Sequence, residues 1–202
     1  MRRKKDYSKI QQKFDERLDH MTENKCKVTF FRMDVRFPKD YPHDGTNSDF
    51  SSLMKLLKEK RSRDDKGDFH YVWGREQNKS ENPHYHLAGI VDGNKTQNAR
   101  GILSDADEIW GRITASPKKG LVDFCNRENG KKVEPYFRID RPAGNSTGEK
   151  LATEEEAFKE GRRKAAERAS YIAKPKTKGK APLRVREYGA SELATDKEKK
   201  LE

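Results

Sequence analysis

The chain has 202 residues, of which 31% are hydrophobic and 39% charged, with a formal net charge of +11. That length and apolar fraction suit one domain built on a single sheet with a few helices and exclude two full cores. The cationic surplus predicts attraction to a polyanion, nucleic acid being the commonest, and no apolar run reaches the length of a membrane span.

Tyr7, Ile10, Phe14, Leu18 and Met21 recur at spacings of three and four, which predicts an amphipathic helix with a basic outer face over residues 1–24. From Val28 to Phe37 the period becomes two. Phe31, Met33, Val35 and Phe37 point one way and Arg32, Asp34 and Arg36 the other, as in a strand with one apolar and one charged face. Pro38, Pro42 and Gly45 mark a loop. Phe50, Leu53, Met54 and Leu57 form a second helical stripe that runs into a charged, solvated segment. Phe69–Gly74 and His84–Val91 read as strands joined by the polar, hairpin-like Gln77–Asn82. A third helix is expected over Asp105–Ile113 and a short strand over Leu121–Cys125, and residues 126–150 read as loop. Thr153 followed by Glu156 is a capping-box signature for a helix with Phe158, Gly161, Ala165, Ala169 and Ile172 inward, ending before Pro175. A basic linker, a short strand over Leu183–Tyr188 and a charged tail complete the chain. The order α-β-α-β-β-α-β-α describes an α+β domain with a mainly antiparallel sheet.

The two cysteines, Cys26 and Cys125, stand in no CxxC pair, and the charged N-terminus has no apolar stretch behind it. The expectation is a protein without a disulfide framework or signal peptide, in a reducing cytosol.

Chemistry concentrates in two places. In Pro83-His84-Tyr85-His86, residues i and i+2 of a strand share a face, so two imidazoles can meet one metal ion. A half-exposed histidine pair is the plain alternative. A transferase of the HxHxH kind would need a third histidine where Ala88 stands, and a cupin-like site an acid near Ile90 and Val91. Glu76 lies eight residues before His84, and a hairpin of that length returns it to the histidines. The resulting two-histidine, one-carboxylate set suits Mn²⁺ or Mg²⁺ and leaves positions for a phosphate. The second place is Ser170-Tyr171-Ile172-Ala173-Lys174, where the inward Ala165, Ala169 and Ile172 turn Tyr171 to the polar side between Arg168 and Lys174. A phenol of pKa ~10 is about a thousandth ionised at neutral pH, so it needs cations or a polarised phosphate in order to attack.

A strand-borne His-hydrophobe-His, an upstream carboxylate and a later helical Tyr-x-x-Lys together resemble the HUH endonucleases. Tyr71–Glu76 leading to Pro83–Leu87 looks most like the replication proteins of filamentous phages and their prophage and plasmid relatives. The opening strand Phe30–Pro38 and the closing Arg186–Ser191 are similar too. The resemblance implies a Rep-like, RRM-related domain over 25–191, behind the 1–24 helix and before a disordered tail at 192–202. It implies a rolling-circle initiator that nicks single-stranded DNA at an origin, presented as a hairpin, through a 5′-phosphotyrosyl intermediate. His84, His86 and Glu76 would then be metal ligands, Tyr171 the nucleophile and Lys174 its helper. Arg32, Asp34, Arg36, Arg75 and Arg168 are the candidates for contacting DNA. No Walker-type motif is present, so a host helicase and polymerase are the implied partners, in the cytoplasm of a bacterial cell. A non-catalytic DNA-binding regulator and a plasmid relaxase remain as alternatives.

Overall fold

In the computed structural model, which describes residues 8–77, 80–128, 130–174 and 181–193, the long strand β1 (Lys27–Arg36) takes partners on both sides. On one side it pairs with β3 (His84–Asp92), in a register running from Val28 opposite Asp92 to Arg36 opposite His84. On the other side β7 (Tyr136–Asp140) covers its first half and β4 (Val122–Phe124) its second. β3 passes on to β2 (Phe69–Glu76), and β2 to β8 (Tyr188–Ala190). The resulting six-stranded sheet is antiparallel and open, with the order β4-β1-β3-β2-β8 and β7 beside β4 on β1. A two-stranded hairpin, β5 (Arg127–Glu128) and β6 (Lys131–Lys132), stands apart from it.

Alternation along the strands makes two faces, and each receives helices. α2 (Ser48–Arg63) and α3 (Arg100–Ile113) cover the first, where Phe31, Met33, Val35, Tyr85 and Leu87 meet Phe50, Leu53, Ile102 and Trp110. Gly89 is required there. A Cβ on it would lie 2.3 Å from the Phe31 ring, so the aromatic packs directly on backbone. α1 (Ser8–Asn24) and α4 (Gly148–Ser170) cover the second face, where Ile10, Phe14, Leu18 and Met21 pack on Val28, Phe30, Val72, Ala88 and Ile90. The stripe at spacings of three and four thus makes α1 part of the sheet's core; Tyr7 lies outside the described residues.

Several boundaries differ from the expectation. α3 begins at Arg100, because Asn98 Oδ1 accepts the Arg100 N–H at 2.8 Å and the Gly101 that follows is tolerated on an open face. α4 begins at Gly148, and the capping box does not exist. Thr153 lies inside the helix and donates to Glu149 O at 2.9 Å. The stretch 126–150 is not all loop, since β7 is built from Tyr-Phe-Arg-Ile-Asp, a run short enough to be masked by its Gly, Asn and Pro neighbours. The closing strand starts at Tyr188, after a highly exposed Leu183. The linker 175–180 and all of the expected tail except Glu192 and Leu193 lie outside the described residues, and Leu193 is buried. Among the described residues no helix is long and apolar enough to cross a membrane.

Candidate metal centre

The second face of the sheet is apolar only over part of its length. α1 and α4 cover Val28, Phe30, Ala88 and Ile90, and beyond Arg32 the same face turns polar. The register places Asp34 opposite His86 on one side, and Gly74 opposite His86 and Glu76 opposite His84 on the other. Alternation and pairing therefore bring Asp34, Glu76, His84 and His86 to one end of one face. The hairpin return of Glu76 expected from its spacing is present.

Glu76, His84 and His86 each offer one ligand atom, all within 4.8 Å of one another, and form a group that could hold a metal ion. Glu76 Oε2 is 3.3 Å from His86 Nε2 and 3.8 Å from His84 Nε2. His86 and Glu76 are both about 5% exposed, while the half-buried His84 side chain opens the group to the surface. Asp34 holds His86 from behind, with Oδ1 2.5 Å from Nδ1, and the same oxygen accepts the Cys125 thiol at 3.0 Å. With Nδ1 engaged, the buried Nε2 faces the group, where its nearest polar neighbour is Glu76 Oε2 at 3.3 Å, and among the described residues it makes no hydrogen bond of ordinary geometry. A buried nitrogen facing two further donors, on a ring braced from behind by a carboxylate, fits a histidine prepared for a cation. Three nitrogen and oxygen donors with no thiolate make a set that could hold a metal ion.

The electrostatics follow from the same contacts. Burial disfavours a charge on His86, but the bonds and charges of Asp34 and Glu76 outweigh it and raise its proton affinity. Burial also pushes the Asp34 carboxyl up, and His86, Cys125 and Arg32 together overcome it, leaving a lowered pKa. His84 is lowered by burial and by the neighbouring His86.

α4 ends beside this group. Its last residues run into a 3-10 turn, Tyr171–Ala173, whose Ile172 is buried in the second core while Tyr171 remains 39% exposed. The Tyr171 ring meets His86 edge-on at a centroid distance of 5.4 Å. Arg32 Cζ and Lys174 Nζ each lie 4.5 Å from the ring centroid. Burial and the Glu76 carboxylate push the phenol above its ordinary value, with Arg32 opposing them.

The remaining candidates divide. Arg32, Asp34, Arg36, Arg168, Tyr171 and Lys174 line one groove of about 620 Å³, together with Asp123, Asn126, Arg127 and Glu167. Arg168 is buried in its wall and donates to Cys125 O at 2.8 Å and to Glu134 O, tying the end of α4 to the β4–β7 segment. Arg75 lies elsewhere. It pairs with Tyr85, on the opposite face from Glu76, and its buried guanidinium donates to Gly45 O at 2.8 Å, so it contributes nothing to this groove. One residue past it along the strand, the pleat alone dictates the other face. Asp34 does line the groove, but its contacts make it the partner of His86 first. Cys125, which sequence reasoning passed over as a thiol without a pair, belongs to the site. Its only sequence signal is its place at the end of the short strand Leu121–Cys125.

Residues 1–191 match the family model described as the YagK/YfjJ C-terminal domain, and the chain belongs to that family. No curated protein and no solved structure matches it.

Proposed function

For this member of the YagK/YfjJ C-terminal domain family, we propose a metal-dependent endonuclease that nicks and rejoins single-stranded DNA through a tyrosine nucleophile, as HUH replication initiators do. The observation that carries the reading is the edge contact of a half-exposed Tyr171 with His86, which sets the phenol against the Glu76–His84–His86 group at the edge of a groove lined by Arg32, Arg36, Arg168 and Lys174. Glu76, His84 and His86 would hold a divalent cation, Mn²⁺ or Mg²⁺, which would supply Lewis-acid stabilisation of charge on a phosphodiester oxygen.

The chain's own groups do the rest. Asp34 keeps the His86 ring turned so that Nε2 faces the ligand group. Tyr171 Oη forms a bond to phosphorus, the bond from phosphorus to O3′ breaks, and the proton lost from the phenol is balanced by the one gained at O3′. The products are a 5′-phosphotyrosyl strand and a free 3′-hydroxyl, and reversal of the same exchange rejoins them. Arg32 and Lys174, on the Tyr171 ring, favour the phenolate and the incoming phosphate. A single tyrosine in the motif means that termination uses a second subunit or a second turnover. In this reading the substrate is an unpaired origin segment, the 3′-hydroxyl primes a host polymerase, a host helicase opens the duplex, and the setting is the bacterial cytoplasm.

The raised phenol of Tyr171 is the observation that favours the second reading, a DNA-binding regulator on the same fold without chemistry. One experiment separates the two. The protein is incubated with a random pool of single-stranded oligonucleotides and Mn²⁺, then boiled in detergent. The nicking reading expects a protein–DNA adduct that Tyr171→Phe and a chelator each abolish. Retention of the adduct by Tyr171→Phe overturns the assignment of the nucleophile, and no adduct on any strand leaves the regulator.

A further inference from the structure

The parts of the site lie in a row along β1 and β3. Arg32 pairs with Ala88, Asp34 with His86 and Arg36 with His84, all on one face, and each step of two residues advances about 6.6 Å. Tyr171 stands at the start of that row, over Arg32 and against His86. His84 is one step further on, its ring centroid 4.9 Å from that of His86. Past His84 the chain forms a second groove of about 580 Å³ between Arg36–Lys39 and Ser80–His84. Its walls are tied together, since Asn82 Nδ2 donates to Pro38 O at 3.2 Å and Tyr41 O at 3.1 Å. Arg36 lines both grooves, so they meet beside the ligand group.

An in-line displacement at phosphorus needs the attacking and leaving oxygens on opposite sides. With Tyr171 at one end of the row, the departing O3′ must lie towards the other end, where His84 opens into the second groove. We propose that this second groove, with Arg36 and Lys39, binds the nucleotides 5′ to the scissile phosphate. The Tyr171 groove, with Arg127 and Lys174, binds those on the 3′ side. The assignment rests on the nicking reading above. The exchange is the one already written: the Tyr171 Oη–P bond forms, the P–O3′ bond breaks, and O3′ takes up a proton. The strand carrying the new 3′-hydroxyl then remains in the Lys39 groove, positioned for the reverse attack, while the 3′ portion is held covalently.

The test takes a strand that forms the adduct and divides it at the nick into two oligonucleotides, a 5′ half ending in 3′-hydroxyl and a 3′ half. Binding of each is measured by fluorescence anisotropy in 0.1 M salt. Lys39 and Arg127 are exposed, so Lys39→Ala and Arg127→Ala leave the core untouched. A log–log salt slope of about 0.7 per single-strand phosphate makes one contact worth about fivefold at that salt. Lys39→Ala is expected to weaken the 5′ half about fivefold and spare the 3′ half, and Arg127→Ala the reverse. The crossed pattern overturns the polarity. Equal or absent effects, with the adduct still forming, overturn the two-groove assignment alone. Failure of every strand to form an adduct overturns the nicking reading, and this inference with it.

Discussion

Asp34→Asn isolates the brace behind the candidate metal centre. The carboxylate accepts the His86 Nδ1–H at 2.5 Å and the Cys125 thiol at 3.0 Å through one oxygen, and its side chain is only 16% exposed. Asparagine keeps the volume but removes the negative charge, and its amide can present a donor to Nδ1. The ring then loses the fixed tautomer that turns the Nε2 lone pair toward Glu76 and His84. Changes to such outer partners typically cost 10–100-fold in metal affinity, which is about 1.4–2.8 kcal/mol at 1.4 kcal/mol per decade. The low exposure argues against heavy discounting by solvent. Calorimetric titration of Mn²⁺ into wild type and variant gives the affinity directly, with circular dichroism as the check on folding. Cys125→Ala is expected to cost less, because a thiol is a weak donor. If Asp34→Asn binds Mn²⁺ within about twofold of wild type while His86→Ala does not bind, the brace has no role in the centre.

Two further outcomes concern the fold. Phe14→Ala on α1 removes a fully buried ring that meets Phe30 edge-on at 5.8 Å, and is expected to cost about 3–5 kcal/mol in a denaturant titration. A loss below about 1 kcal/mol would mean that α1 is not part of the core. His70, bonded to Ser191 Oγ on the segment after β8, is pushed down to about 4 by burial and by the adjacent His20. Its native pKa lies below the value of 6.5 expected when unfolded, so between those values the unfolded chain binds more protons. Stability present above pH 6.5 should therefore fall as the pH drops towards 4. His70→Gln should show a flatter melting temperature across that window, and an unchanged slope would refute the linkage.

The sequence alone determined what depends on local periodicity. Alternation puts His84 and His86 on one face, a short hairpin brings Glu76 level with them, and stripes at spacings of three and four locate the inner sides of α1, α2 and α4. Alternation also puts Arg75 on the opposite face from Glu76, where it pairs with Tyr85. Other features depended on contacts far apart in the chain. Nothing local says that β1 lies beside β3, yet that pairing and its register convert Asp34 from a charge on an open face into the partner of His86. Cys125 reaches the site because β4 adds to the second half of β1, and Arg168 is drawn from a surface cation into a clasp on the Cys125 and Glu134 carbonyls. β7 exists because β1 offers a free edge along its first half, which outweighs the loop-like composition around Tyr136–Asp140. Periodicity states which way a side chain points, whereas strand pairing and helix docking decide what it meets there, because those free energies come from segments tens of residues away.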